Sequence, residues 1–91
     1  NSVLTYMRYG RDRQAPVLVA CNFTPVPRRG YRVGVPLDGH WSEVLNSNAA
    51  VYGGTDEGNF GGVHSEAFEC HGQPYSLLLN LPPLAVVVLK R

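Results

Sequence analysis

Charge is scarce in this chain: Asp, Glu, Lys and Arg make up 16% of 91 residues, below the usual quarter, which points to surface shielded by a partner. The formal net charge is only +1. Arg8, Arg11, Arg13, Arg28, Arg29, Arg32, Lys90 and Arg91 are spread through the chain rather than gathered on a face, so a nucleic-acid partner is not expected. No apolar run approaches the ~20 residues that cross a bilayer, and no secretory signal opens the chain, so no membrane partner is expected either. The two cysteines, Cys21 and Cys70, are too few for a disulfide scaffold. The pair Cys70-His71 lacks the second ligand pair of a structural zinc site, so neither metal nor cofactor is expected. Buried free thiols in a soluble, cytoplasmic protein fit this usage. The chain begins with Asn1 and no initiator Met, which suggests a processed chain or a piece of a longer one.

What is present reads as one all-β domain over residues 1–91. Short strand-like runs are separated by Gly, Pro and Asn at intervals of about ten residues, the spacing of a sandwich or barrel. "VLTYMRY" from Val3 is a first strand and "VLVACNF" from Val17 a second, ended by "TPVPRRG" because proline has no N–H for the ladder. "YRVGVP" and "HWSEVLN", joined through Asp38-Gly39, form a hairpin candidate in which Trp41, Glu43 and Leu45 alternate with Ser42, Val44 and Asn46. The glycine-rich stretch "SNAAVYGGTDEGNFGGVHSE" reads as a loop with a short strand at Ala50 to Tyr52. "AFECHG" and then "PYSLLLNLPPLAVVVLKR" complete about eight strands. That last run is apolar on both sides: Leu77, Leu79 and Leu81 against Leu78, then Ala85, Val87 and Leu89 against Val86 and Val88. One side meets the domain's core and the other needs a cover.

No catalytic constellation emerges. Asp12, Asp38, Asp56 and Glu57 sit in glycine-bounded turns where local backbone hydrogen bonding favours Asp. The remaining carboxylates, Glu43, Glu66 and Glu69, and the serines lack a glycosidase or nucleophile-elbow context. "GGTDEGNFGG" lacks the Lys-Ser/Thr of a phosphate-binding loop, and "NFT" at Asn22 is too common a tripeptide to indicate glycosylation. Aromatic rings can stack on sugars. Trp41 reads as core or interface before sugar platform, while Tyr52 and Phe60, in the glycine-rich loop, suit either docking or a ligand.

The segments "NSVLTYMRYGRDRQAPVLVACNFTPVPRRGYRVGVP", "GHWSEVLNSNAAVYGGTDEGN" and "HGQPYSLLLNLPPLAVVVLKR" resemble, nearly end to end, the C-terminal domain of bacterial 1,4-α-glucan (glycogen) branching enzymes of the α-amylase superfamily. "CNFTPVPR" and "YGG" with Gly58-Asn59 are distinctive of that family, whereas "LPPLAVVVL" is shared more widely. The resemblance implies a Greek-key antiparallel β-sandwich following a catalytic (β/α)8 barrel, in a cofactor-free glycosyltransferase of glycogen biosynthesis. None of the family's catalytic motifs matches this chain, so it inherits no catalytic residue. It is expected to stabilise the barrel of the same polypeptide through its apolar surface and the loop from Tyr52 to Gly62, with Tyr52, Phe60, Trp41 and Asn59 as candidate docking or glucan contacts. The alternative is a carbohydrate-binding module that holds α-glucan through exposed rings.

Overall fold

The computed structural model describes residues 3–9, 16–47, 59 and 61–91. Among these, seven strands and no helix are found: β1 Val3–Arg8, β2 Val17–Asn22, β3 Arg28–Val35, β4 His40–Asn46, β5 Gly62–His64, β6 Tyr75–Leu81 and β7 Ala85–Lys90. The short strand expected at Ala50 to Tyr52 lies outside the described residues.

Every pairing is antiparallel. The strands divide into a five-stranded sheet of order β1-β2-β7-β4-β5 and a two-stranded sheet of β3 and β6. The chain changes sheet after β2, β3, β5 and β6, and β7 inserts between β2 and β4, the crossed connectivity of Greek-key sandwiches rather than a meander. The terminal apolar run is thus split between sheets. Pro82 and Pro83 end the β6 ladder and carry the chain across to β7.

Between the sheets lie Leu18, Ala20, Val33, Val35, Trp41, Leu77, Leu79, Leu81, Val87 and Leu89. In β6 and β7 the burial follows the two-residue period expected of a face that meets a core: Leu77, Leu79 and Leu81 are buried while Leu78 is exposed, and Ala85, Val87 and Leu89 are buried while Val86 and Val88 are half-buried, whereas in β2 Leu18 through Asn22 are all buried.

β5, Gly62–His64, lies within the glycine-rich stretch expected to be loop and pairs with β4, and three further expectations are corrected. β3 and β4 do not form a hairpin, because β3 pairs with β6 and β4 with β5 and β7; the Asp38-Gly39 turn serves a change of sheet. It is held there by side chains, since Gly39 N–H donates to Ser65 Oγ at 2.8 Å and Ser65 Oγ–H to Asp38 Oδ1 at 2.6 Å. Second, the alternation read through β4 fails at Val44. The register steps from Glu43↔Leu89 to Leu45↔Val88, so Val44 is the extra residue of a β-bulge, which turns Leu45 outward and Asn46 inward. Third, "AFECHG" is not a strand but a turn-rich segment tied by isolated bridges Glu66↔Ser76 and Cys70↔Gln73, with His71 and Gly72 both in the left-handed region.

That segment covers the outer side of the small sheet at Arg32, Gly34 and Ser76 and leaves Leu78 exposed. The Cys70 carbonyl lies where a Cβ on Gly34 would meet it at 2.1 Å, so β3 needs glycine there. Arg32 Nη1 donates to Glu66 Oε1 at 3.0 Å and to Ser76 Oγ at 2.6 Å, while its guanidinium stacks 4.3 Å from the Phe68 ring centroid. No described strand performs the same service for the outer side of the large sheet.

Candidate functional site

The registers of the five-stranded sheet line up its outward side chains in rows. Leu4, Cys21 and Val86 form one row, and Tyr6, Val19, Val88 and Leu45 the next. The alternate residues of β1, Val3 and Met7, pack against the core, which fixes Leu4 and Tyr6 on the outer side. A solvated sheet face would carry polar residues there. Instead Leu45 is 40% exposed and Leu84 69%, with Leu4, Tyr6, Val44 and Phe23 in between. Between the exposed Leu4 and Tyr6 of β1 and Leu45 of β4, the same rows hold buried Val19 and Cys21 and half-buried Val86 and Val88, so the rows are apolar throughout, and apolar side chains gathered on one face mark an interaction surface where scattered ones do not.

One end of this face rises into a tip made from the β2–β3 and β6–β7 connections. Asn22, buried at the end of β2, ties the two together. Its Nδ2 donates toward the carbonyls of Val26 at 2.9 Å, Pro82 at 3.1 Å and Leu81 at 3.3 Å. Two N–H bonds serve these three acceptors, so at least one is shared. Asn22 Oδ1 accepts from Thr24 N–H at 3.0 Å and Thr24 Oγ–H at 2.7 Å. This is the physical content of "NFTPVP": proline removes donors from the connection and the carboxamide supplies them. It also leaves the Asn22 amide enclosed, so the "NFT" tripeptide is structural in this fold.

Across the tip, Leu84 N–H donates to the Thr24 carbonyl at 2.9 Å. Leu84 has φ 49°, a left-handed conformation that costs a residue with a Cβ about 1–2 kcal/mol. Its side chain and Phe23 flank a hollow of about 170 Å³, floored by Asn22, Ala85 and Val86. Val86 belongs to the first outward row, so the hollow is continuous with the apolar face.

The residues singled out from sequence are placed differently. Trp41 is fully buried in the core, and its Nε1–H donates to the Leu37 carbonyl at 3.3 Å; its ring offers no surface for a sugar. Asn59 is also buried. Its Oδ1 accepts from Asn80 N–H at 2.8 Å and its Nδ2 donates to the Asn80 carbonyl at 3.2 Å, so the side chain pairs with β6 as a strand backbone would. Its own N–H and Nδ2 reach Glu43 Oε2 at 3.1 and 2.8 Å, linking β6 to β4 across the sandwich. Tyr52 and Phe60 lie outside the described residues.

Of the described carboxylates, Asp38, Glu43 and Glu66 are each held by a structural partner, and Glu69 is exposed. The Ser65 hydroxyl keeps the Asp38 carboxyl below its usual range against an opposing desolvation, aided by the Gly39 amide and by nearby His64 and Arg91. Cys21 and Cys70 are free thiols, and no metal-holding cluster of His, Cys, Asp or Glu occurs among the described residues. No described helix is long and apolar enough to cross a membrane.

Leu4, Tyr6, Phe23, Val44, Leu45 and Leu84 were not separated from ordinary strand and turn residues by sequence reasoning. The available signal was that β1 is apolar on both sides, with Val3 and Met7 on one and Leu4 and Tyr6 on the other.

The family described as alpha amylase, C-terminal all-beta domain matches residues 1–91. Among curated proteins, the 1,4-alpha-glucan branching enzyme GlgB of Pseudomonas fluorescens (strain Pf0-1) is 57% identical over 90 residues, covering 99% of this chain and 12% of that protein. GlgB 2 of Rhizobium etli is 57% identical over 90 residues, with the same coverages. GlgB of Gloeobacter violaceus is 52% identical over 91 residues, covering 100% of this chain and 12% of that protein. The chain therefore spans about 12% of the length of these relatives.

Proposed function

The chain belongs to the family of alpha-amylase C-terminal all-beta domains, and from that premise we propose that it is the noncatalytic C-terminal domain of a 1,4-α-glucan branching enzyme. Its parent joins α-1,4-glucan segments through α-1,6 bonds in cytoplasmic glycogen synthesis, and the chemistry belongs to a catalytic (β/α)8 barrel elsewhere in the same polypeptide. The domain's role is to cover and stabilise that barrel. The single observation that carries this role is the apolar outer face of the five-stranded sheet, from Leu4 and Tyr6 to Leu45. Removing such a face from water against a partner is favourable by about 25 cal/mol per Å² of apolar area, and a partner on the same chain is already present at high effective concentration.

The test compares the full polypeptide with one that lacks residues 1–91, by melting temperature and by branching of amylose followed through iodine absorbance. Loss of the domain should lower the melting temperature and remove most activity, while the 91-residue chain alone should branch nothing. Unchanged stability and activity in the truncated enzyme would refute the stabilising role. Amide NMR of the chain with maltoheptaose completes the test: no saturable shift at millimolar sugar is expected, and clustered saturable shifts would instead make the domain a glucan-binding module.

A further inference from the structure

Leu84 combines two unfavourable features. Its backbone is left-handed, where turns ordinarily take glycine or asparagine, and its apolar side chain is among the most exposed in the domain. Strain of this sort persists where the surroundings over-determine it, and here the Thr24 carbonyl and the Asn22 carboxamide hold both connections of the tip. The result is a hollow between the Phe23 and Leu84 side chains on a backbone held in place rather than a loose apolar loop. Its volume of about 170 Å³ is near that of a cavity of roughly 150 Å³ able to hold a benzene ring, so one aliphatic or aromatic side chain fits. The Asn22 carboxamide on its floor is already engaged, and Ala85 and Val86 offer no side-chain polar group. A small polar ligand would need several convergent polar groups. An apolar side chain needs none.

We propose that this hollow receives one apolar side chain from the catalytic part of the same polypeptide, and that Phe23 and Leu84 close around it as the anchor of the docked sheet face. The inference rests on the docking role proposed above. The occupant is assigned to the same polypeptide because the chain spans only about 12% of its relatives' length, leaving a large tethered partner, and because the hollow is continuous through Val86 with the apolar face. Anchors of this type, a few well-packed apolar residues on a broader surface, dominate the energetics of interfaces.

The experiment is thiol footprinting of the full polypeptide carrying Leu84→Cys, Leu45→Cys or Leu78→Cys, with peptide mapping to separate each from the native thiols. Leu78 lies on the outer side of the small sheet and serves as the exposed reference. Maleimide should react about tenfold or more slowly with L84C and L45C than with L78C, as expected for thiols enclosed at an interface. If L84C reacts as fast as L78C while L45C stays protected, the face docks and the anchor is wrong. If both react fast, the docking reading itself fails and the anchor falls with it. Leu84→Gly supplies a readout independent of labelling: glycine accepts the left-handed turn without strain, so a melting temperature that is unchanged or raised overturns the anchor, whereas a fall supports it. Should L84C not fold, Phe23→Cys makes the same comparison.

Discussion

Replacing Asn22 by Ala removes the one side chain that joins both inter-sheet connections. The loss can be worked from its contacts. The Leu81 and Pro82 carbonyls lose a buried donor, and Thr24 N–H loses its acceptor, whereas the Val26 carbonyl keeps the Thr24 hydroxyl at 3.0 Å. A buried polar group left without a partner costs about 1–3 kcal/mol, so the two carbonyls alone set a loss of about 2–6 kcal/mol. That is a large share of the roughly 5–14 kcal/mol available to a domain of this size. With a urea dependence of about 1.5 kcal/mol per molar, the unfolding midpoint should fall by roughly 1.3–4 M. Trp41, the one tryptophan of the chain, is fully buried in the core and reports the transition by fluorescence. Asn22→Asp sharpens the test, since it keeps the Oδ1 acceptor but turns an anion toward three carbonyls; at neutral pH it should be at least as damaging as alanine. A loss below about 0.5 kcal/mol for Asn22→Ala would refute the claim that this carboxamide holds the tip, because surface substitutions fall in that range.

Leu79, fully buried opposite Tyr31, should lose about 2–5 kcal/mol on change to Ala in the same urea assay, and a loss under about 0.5 would show that β6 does not face the core as described. Asp38 titrates below its usual range chiefly through Ser65. The folded pKa lies below the unfolded one, so its stabilisation is present above about pH 4 and is lost as pH falls through the folded value. The stability difference between the native chain and Ser65→Ala should therefore shrink between pH 7 and pH 3 in urea unfolding. A difference that grows on acidification would contradict the assignment.

The fold class was legible because the last two strands carry a clear two-residue period: Leu77, Leu79 and Leu81, then Ala85, Val87 and Leu89, fall on one side each by their spacing alone. Pairing was less legible. The Asp38-Gly39 turn has the composition of a hairpin, but nothing local reveals that Ser65, distant in sequence, captures the Asp38 carboxylate and directs the chain into the other sheet. The bulge at Val44 was equally hidden, since one inserted residue in a strand of mixed polarity leaves an acceptable alternation on paper while reversing Leu45 and Asn46. "AFECHG" was misread because its left-handed residues, His71 and Gly72, close a turn that propensity alone does not announce. For the site, the need for a cover over the terminal apolar run was evident, yet its location was not. It depends on which strands flank β7, and those flanks bring Leu4, Tyr6 and Leu45 alongside Val86 and Val88. Asn59 was noticed as part of a family segment, but its pairing with β6 and Glu43 is a long-range arrangement.

The central claim is that the outer face of the five-stranded sheet is buried against the remainder of the polypeptide, and a paired charge substitution tests it most directly. Tyr6→Glu places a carboxylate on the edge strand of that face, in the row of Val19, Val88 and Leu45, and Leu78→Glu places one on the outer side of the small sheet, at a comparably exposed position. Measured in the full polypeptide, the melting temperature should drop by several degrees for Tyr6→Glu, since a loss of about 1–3 kcal/mol from burying an unpaired polar group moves large proteins by about that much, while Leu78→Glu should leave it nearly unchanged. Equal melting temperatures for both variants and the unaltered protein would mean that the face remains in water and that the apolar rows serve some other partner.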